Sequence, residues 1–338
     1  LIEAKNSKIK ITATDLDIIY YENILPKELK KEGSTTTSAS ILYDILRKLK
    51  PNSIVELSLQ NPNRIKLLSE NSKFNLLCLP SDNFPLSDED INLKSFEVSP
   101  NKLLKLLNKT KISISNDETR HYLNGIYLHK TKLENKSFLC AVATDSHRLS
   151  SSSLEIDPSI VVEPIILPKK TIFQLISLLE QNTSSIKISN NKSKIKFKTN
   201  NGVLISKVID GRFPDYTKVI PKDNDKILQI KLNEFRNSIE RVTTVSSDRK
   251  EGLKMTISKD SVQLSVNNPS SGEGVENIDA KFNADDLNIS FNSRYLTDIA
   301  SQIENEFILI NLKDPGSPVL INDNSDKNSF YVVMPMKI

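Results

Sequence analysis

The chain has 338 residues, enough for two or three domains, and its net charge of +4 comes from 46 basic and 42 acidic side chains, a balance that does not by itself indicate a nucleic-acid partner. Its 8 glycines form no glycine-rich phosphate loop or nucleophile elbow, which argues against dinucleotide-binding, P-loop and α/β-hydrolase enzymes. Two cysteines and three histidines without CxxC or HExxH spacing argue against zinc, so we expect no metal and no cofactor.

The first part of the chain is predicted to contain strands around one short helix. Apolar and charged residues alternate at 8–11 and 53–60, which is typical of antiparallel strands with one solvated face. Between these strands, Ser38 or Ser40 can cap a helix whose apolar residues continue to Leu49.

Helices and strands of the same kind return twice further along the chain. Each predicted helix shows apolar residues three and four positions apart, and two of them open at a proline, which fits the first turn of a helix. The helices are predicted at 100–111, 168–179, 232–245 and 292–303, and strands at 186–188 and 195–198.

Short landmarks recur about every 128 residues. Phe84-Pro85 and Phe213-Pro214 each follow a predicted strand and lie 129 positions apart. The C-terminal segment Tyr331–Pro335 resembles Leu76–Pro80, 255 positions earlier. Repetition at a fixed period predicts an α+β protein built from three tandem units.

Counting these units predicts domains at 1–93, 94–221 and 222–338. The first is the shortest, because it starts in a strand and has no counterpart of the helix at 100–111. We therefore expect that about 35–40 residues of the parent fold, its opening strand and helix, are missing before Leu1, unless the first domain is natively short.

Six ordered motifs carry a family resemblance that covers essentially the whole chain. They are Thr14–Asp17, Arg120–Gly125, Val142–Leu149, Asp210–Tyr216, Phe291–Leu296 and Tyr331–Met336. With these motifs the chain resembles the bacterial DNA polymerase III beta sliding clamps.

The resemblance implies three tandem repeats of the DNA-clamp fold, with helices inside and antiparallel sheets outside, the first repeat being truncated. It implies a head-to-tail homodimeric ring that encircles duplex DNA without reading its sequence. Such a ring has no catalytic role and tethers the replicative polymerase, the clamp loader and other replication and repair proteins through short peptides. It also implies a location in the bacterial cytoplasm, with which two reduced cysteines and the absence of a long apolar run agree.

A basic stripe on the helix after Pro100 is the first candidate DNA-contacting feature. Lys102, Lys105 and Lys109 share one face of this helix, and leucines occupy the other. Charge alone favours an ordinary solvated face, whereas the resemblance implies a helix that faces DNA. The residues it implies as DNA-facing are Arg47, Lys48, Lys102, Lys105, Lys109, Tyr122, Lys169, Lys170, Arg236 and Arg241.

The resemblance also implies a groove for partner peptides between the middle and last domains. An apolar groove with a basic rim suits a peptide that has hydrophobic anchors and acidic or amide neighbours. Ser146 stands where the family usually has glycine, and Lys218 replaces a frequent arginine. The implied groove residues are Leu123, Thr144, Ser146, His147, Arg148, Leu149, Pro214, Lys218, Val219, Val332, Met334, Pro335 and Met336.

For ring closure, the resemblance implies that Phe74 and Leu76 of one subunit meet Thr244 and Val245 of the other. From the residues alone, Phe74 and Leu76 read equally well as inward-facing strand residues.

Two other functions can be weighed from the sequence. Asp145-Ser146-His147 contains the residue types of a hydrolase triad, but neighbours on an extended chain point to opposite sides and cannot form the required hydrogen-bond chain. A repeat-built scaffold that binds peptides without encircling DNA stays open as the alternative.

Overall fold

The structure is a computed structural model that describes residues 1–85, 95–181, 184–246 and 252–337. Its helices are α1 (Ala39–Leu46), α2 (Pro100–Lys111), α3 (Lys169–Glu180), α4 (Leu232–Val242) and α5 (Ser293–Ala300). Its first strands are β1 (Ile2–Lys5), β2 (Lys8–Thr14), β3 (Ile18–Ile24), β4 (Gly33–Thr37), β5 (Glu56–Asn61), β6 (Arg64–Ser69), β7 (Ser72–Leu79), β8 (Phe96–Val98), β9 (Gly125–Leu133), β10 (Lys136–Thr144), β11 (Arg148–Ile156) and β12 (Ile165–Pro168). The others are β13 (Ile186–Asn190), β14 (Lys194–Lys198), β15 (Gly202–Lys207), β16 (Lys226–Lys231), β17 (Gly252–Ile257), β18 (Ser261–Asn268), β19 (Gly272–Phe282), β20 (Leu287–Asn292), β21 (Phe307–Leu312), β22 (Val319–Asp323) and β23 (Asp326–Val333).

The first compact unit contains the described residues of Leu1–Ser99 and Asn182–Lys207. Its strands form one eleven-stranded sheet in the order β5-β6-β7-β4-β1-β2-β3-β15-β14-β13-β8. β3 and β15 join the two chain segments, and Ile19, Val203 and Ile205 are buried at this junction.

The second unit contains the described residues of Pro100–Gln181 and Val208–Ile338. Its twelve strands follow the order β12-β9-β10-β11-β23-β22-β21-β16-β19-β18-β17-β20. Here β11 pairs antiparallel with β23, with Leu149 opposite Val332. This pairing brings two of the sequence motifs together, although they lie far apart along the chain.

The predicted helices are confirmed, with small differences at their ends. Ser38 caps α1, because its side chain accepts a hydrogen bond from the Ile41 N–H at 3.4 Å, and Pro168 precedes α3 as predicted. The fourth predicted helix ends at Val242 and continues as a 3-10 turn to Val245. α5 ends at Ala300 and does not reach Ile303.

A repeated turn shows the internal repetition at atomic detail. In the first unit, the Thr14 hydroxyl donates to the Ile18 carbonyl at 2.8 Å, and Asp15 accepts from the Ile18 N–H at 2.8 Å. In the second unit, the Thr144 hydroxyl donates to the Arg148 carbonyl at 2.7 Å, and Asp145 accepts from the Arg148 N–H at 3.0 Å. Side-chain bonds of this kind fix a tight turn between two strands.

Among the described residues, no helix combines the length and the apolar character needed to cross a membrane.

Candidate functional site

The C-terminal segment lies against two other parts of the second unit. The Met334 N–H donates to the His147 carbonyl at 2.8 Å, and the Met336 N–H donates to the Ser290 carbonyl at 2.7 Å. These backbone bonds hold the segment while the two methionine side chains stay 41% and 39% exposed. Exposed thioether side chains on a fixed backbone form an adaptable apolar surface.

The buried residues of this region form an apolar floor. Tyr122, Tyr127 and Tyr216 are partly buried against it. The floor, as used below, consists of Leu123, Val142, Leu149, Ile166, Phe213 and Val332.

An exposed wall follows directly after Phe213. Pro214 is exposed, Val219 is 49% exposed, and a 3-10 turn spans Tyr216–Val219. Lys218 forms an exposed ion pair with Asp215 at 3.5 Å. The floor contains Phe213, which directly precedes this wall, and Val332, which lies two positions before Met334 of the C-terminal segment.

The turn at Thr144–Arg148 contains a strained residue. Ser146 has φ of 77°, a left-handed conformation that is costly for most residues but free for glycine. This explains physically why glycine suits the position. The Ser146 hydroxyl accepts a hydrogen bond from Arg120 at 2.7 Å, a contact that glycine could not make.

Arg148 differs from its predicted place on the rim of the groove. Its guanidinium is buried and donates to Asp145 at 3.0 Å and to Asp298 at 2.7 Å. It also lies over the Tyr295 ring at 4.3 Å from the centroid. Arg148 therefore joins the turn to α5, and exposed His147 is the basic side chain of this turn that stays accessible.

Two of the three lysines predicted as a DNA-facing stripe are used inside the second unit. Lys109 is 3% exposed, donates to the Gln302 carbonyl and lies 2.9 Å from the Glu304 carboxylate. Lys105 pairs with Glu304 and with Asp326, each at 3.2 Å. The prediction that Lys109 faces DNA is wrong in this structure, because a buried, paired ammonium cannot contact a phosphate.

Two carboxylates near these lysines, those of Glu304 and Asp323, have lowered pKa values. The hydrogen bond from Lys109 lowers the pKa of Glu304, against the opposing effect of burial. For Asp323, burial is the largest influence and favours the neutral acid, but hydrogen bonds from the Glu304 N–H and from Ser325 bring its pKa below the ordinary value. We call Lys105, Lys109, Glu304, Asp323 and Asp326 the lysine–carboxylate network.

The other predicted DNA-facing residues are more accessible. Lys102 and Lys170 are exposed on α2 and α3, while Tyr122 and Arg236 are half-buried. The Lys169 side chain donates to Asn116. Arg241 is exposed but pairs with Glu276, its Nε donating at 2.9 Å.

In the first unit, Arg47 pairs with Asp44 at 2.9 Å, and both Arg47 and Lys48 are exposed.

The residues predicted for ring closure differ in exposure. Phe74 and Leu76 of β7 are half-buried, and Leu76 packs against the small core cluster of Ile2, Ile65 and Cys78. Thr244 is exposed, and Val245 is half-buried against the core of the second unit.

Sequence reasoning missed the acidic partners of the basic residues. Asp298 and Glu276 carry no sequence signal, because their partners Arg148 and Arg241 lie 150 and 35 positions away along the chain.

The chain has a repeated α+β fold with ion-paired basic residues on its helices. This architecture is that of the DNA-clamp class, whose members act by binding and not by catalysis. Models of the three domains of the DNA polymerase III beta subunit match the chain, the N-terminal domain at residues 1–88, the central domain at 97–215 and the C-terminal domain at 217–337. The chain belongs to the DNA polymerase III beta subunit family. It is a non-catalytic processivity factor made of three clamp repeats.

Curated relatives and solved structures match this chain over its full length. The beta sliding clamp of Caulobacter vibrioides is 34% identical over 340 residues, which cover 100% of this chain and 91% of the relative. That of Rickettsia felis is 32% identical over 350 residues, with the same coverage. A crystal structure of the C. crescentus beta sliding clamp aligns with a TM-score of 0.96 at 34% identity, and a Bartonella birtlesii sliding clamp bound to griselimycin aligns with 0.95 at 38%. Both alignments cover 100% of this chain and 90% of the solved one.

Proposed function

We propose that the chain encircles duplex DNA as a head-to-tail homodimer and tethers the replicative polymerase and other replication and repair proteins. The match of three successive clamp-domain models carries this proposal. We assign the domains to 1–93, 94–221 and 222–338, with Phe74 and Leu76 closing the ring against Thr244 and Val245 of the second subunit. The compartment of this activity is the bacterial cytoplasm, where the chromosome lies.

A closed ring holds DNA by topology and needs only weak phosphate contacts. Lys102, Lys170 and Arg236 supply such contacts in our assignment, since long basic side chains neutralise phosphates without reading bases. Lys105 and Arg241 keep part of their charge engaged with carboxylates, so their contribution is smaller.

Retention on circular DNA distinguishes the ring from the alternative scaffold. Chain loaded onto nicked circular duplex by a clamp loader is expected to stay bound through gel filtration and to be released when a restriction enzyme linearises the circle. Equal retention on circular and linear DNA, or none on either, would favour a scaffold that does not encircle DNA.

The groove formed by the floor, the wall and the C-terminal segment is the proposed docking site for partner peptides. Its floor is apolar, its upper side chains are thioethers and short aliphatics, and His147 and Lys218 lie exposed at its rim. A peptide with hydrophobic anchors and a carboxylate or amide neighbour matches this chemistry.

Met334→Ala is expected to weaken peptide binding by about 1–3 kcal/mol, because it removes a flexible apolar contact that a ligand would bury. Fluorescence anisotropy with a fluorescein-labelled peptide Gln-Leu-Asp-Leu-Phe, which combines an amide, a carboxylate and apolar anchors, measures the change. Leu133→Ala is the matched control, since Leu133 is exposed at the far end of β9. Unchanged affinity in Met334→Ala would remove Met334 from the groove.

A further inference from the structure

Four aromatic side chains form a continuous row of contacts between β9 and the segment that carries the groove wall. Tyr127 and His129 lie on one face of β9, two positions apart. The Tyr127 ring stacks on Phe213, with centroids 4.9 Å apart and planes at 6°, and on His129, at 4.7 Å and 26°. The row of contacts ends where His129 Nε2 lies 3.0 Å from the Tyr216 hydroxyl.

This cluster connects β9 to the start and to the middle of the wall. Phe213 directly precedes Pro214, and Tyr216 opens the 3-10 turn that carries Lys218 and Val219. The wall itself lies outside the strands, and its nearest ladder contact is the bridge from Ile209 to Ile166. The side chains of Phe213 and Tyr216 therefore join the wall to the sheet.

The direction of this hydrogen bond depends on the protonation state of His129. Burial lowers the pKa of His129 from its ordinary value of 6.5 and raises the pKa of Tyr216 to about 12. In the neutral tautomer whose Nδ1–H faces the Lys130 carbonyl, the Tyr216 hydroxyl donates to Nε2. An imidazolium has no lone pair at Nε2 and cannot accept this bond, so it must donate to the Tyr216 oxygen instead and leave the hydroxyl proton without this acceptor.

Other titratable groups lie on the strands and on the wall that pack against His129. Cys140 is opposite His129 on β10, and burial raises its pKa to about 11. Burial also raises the pKa of Tyr127. The Lys130 carbonyl lies 3.4 Å from Nδ1, and the Lys130 ammonium donates to the Pro158 and Ile160 carbonyls. On the wall, the pKa of Asp215 is lowered by its hydrogen bond from Thr217.

We infer that His129 and Tyr216 are positioning residues for peptide binding, which hold the wall of Pro214, Lys218 and Val219 at a fixed distance above the floor. The inference rests on the proposed groove. Peptide affinity is then coupled to the His129–Tyr216 hydrogen bond and falls at acidic pH, where His129 becomes an imidazolium, although neither residue contacts the peptide.

The test compares Tyr216→Phe with Met334→Ala by anisotropy of the labelled Gln-Leu-Asp-Leu-Phe peptide between pH 5 and pH 8. Tyr216→Phe keeps the ring and removes the hydroxyl, so we expect about 3- to 10-fold weaker binding at pH 7.5, from faster dissociation, and loss of the pH dependence. Met334→Ala is expected to bind weakly but to keep that dependence. His129→Gln, whose amide oxygen can accept the Tyr216 bond, is expected to restore most of the affinity lost in His129→Ala.

The inference would be overturned if Tyr216→Phe bound the peptide with wild-type affinity and a wild-type pH profile. If Met334→Ala lost affinity in the same experiment, the proposed groove would still stand. A drop in affinity that tracks a lower melting temperature and keeps the pH profile would also overturn the inference, because the effect would then be one of general stability. If Met334→Ala and Tyr216→Phe both bind normally, the proposed groove itself fails.

Discussion

Replacing Lys109 by methionine is expected to destabilise the chain by about 3 kcal/mol, although lysine on a helix face is ordinarily a solvated residue. Methionine keeps much of the apolar stem but removes the ammonium that faces Glu304 and, at 3.9 Å, Asp323. The Asp323 side chain is fully buried, and a buried carboxylate without its cation carries a large desolvation penalty. The Gln302 carbonyl also loses its donor. Urea denaturation followed by circular dichroism measures the change.

Lys102→Met is the matched control, since Lys102 is exposed on the same helix. It is expected to change the unfolding free energy by no more than about 0.5 kcal/mol. The order is reversed for DNA binding: when affinity is measured against salt concentration, Lys102→Met should change the slope and Lys109→Met should not. Loss of one phosphate contact in Lys102→Met lowers the salt slope by about 1, whereas folded Lys109→Met keeps it. Equal stability of the two variants would show that the lysine–carboxylate network does not stabilise this unit.

The contrast between Lys102 and Lys109 shows what the sequence can and cannot predict. Helical spacing placed the leucines and lysines of α2 on opposite faces correctly, because periodicity is a local property. It could not show that the lysine face meets carboxylates at 304, 323 and 326, since nothing local encodes a partner about 200 positions away. The same limit applies to Arg148, whose partner Asp298 lies on α5.

The family motifs were a better guide to which residues lie together than the pattern of charges was. All floor residues except Ile166 come from segments recognised as family motifs, and the repeated Thr-Asp turn has the same hydrogen bonds in both units. The family's usual glycine at position 146 was a sequence signal for the positive φ angle of Ser146. The aromatic cluster behind the wall had none, because a ring stack depends on the three-dimensional fold. Tyr127 and His129 lie two positions apart on β9, and only the fold brings Phe213 and Tyr216 against them.

Gly125→Ala is expected to be among the most damaging single substitutions, at a cost of at least about 3 kcal/mol. A Cβ at this position would lie 2.2 Å from the Leu167 carbonyl oxygen and 3.1 Å from the Ile166 side chain. The oxygen belongs to the backbone of β12, which pairs with β9 and leads directly into α3. Relief therefore requires the two strands to separate, which breaks their hydrogen bonds and moves the start of α3.

The matched control is Gly33→Ala, where an added Cβ has no heavy atom within 4 Å. That variant is expected to be neutral or slightly stabilising, by up to about 0.5–1 kcal/mol, because alanine reduces the freedom of the unfolded chain. Urea denaturation compares the two, and hydrogen exchange of the β12 amides should accelerate only in Gly125→Ala. Equal midpoints would mean that β9 and β12 can move apart freely. The chain has few glycines, and the close approach of β9 and β12 explains why one of them lies at position 125. Because β12 leads directly into α3, this approach also sets the position of α3 and of Lys170 on it.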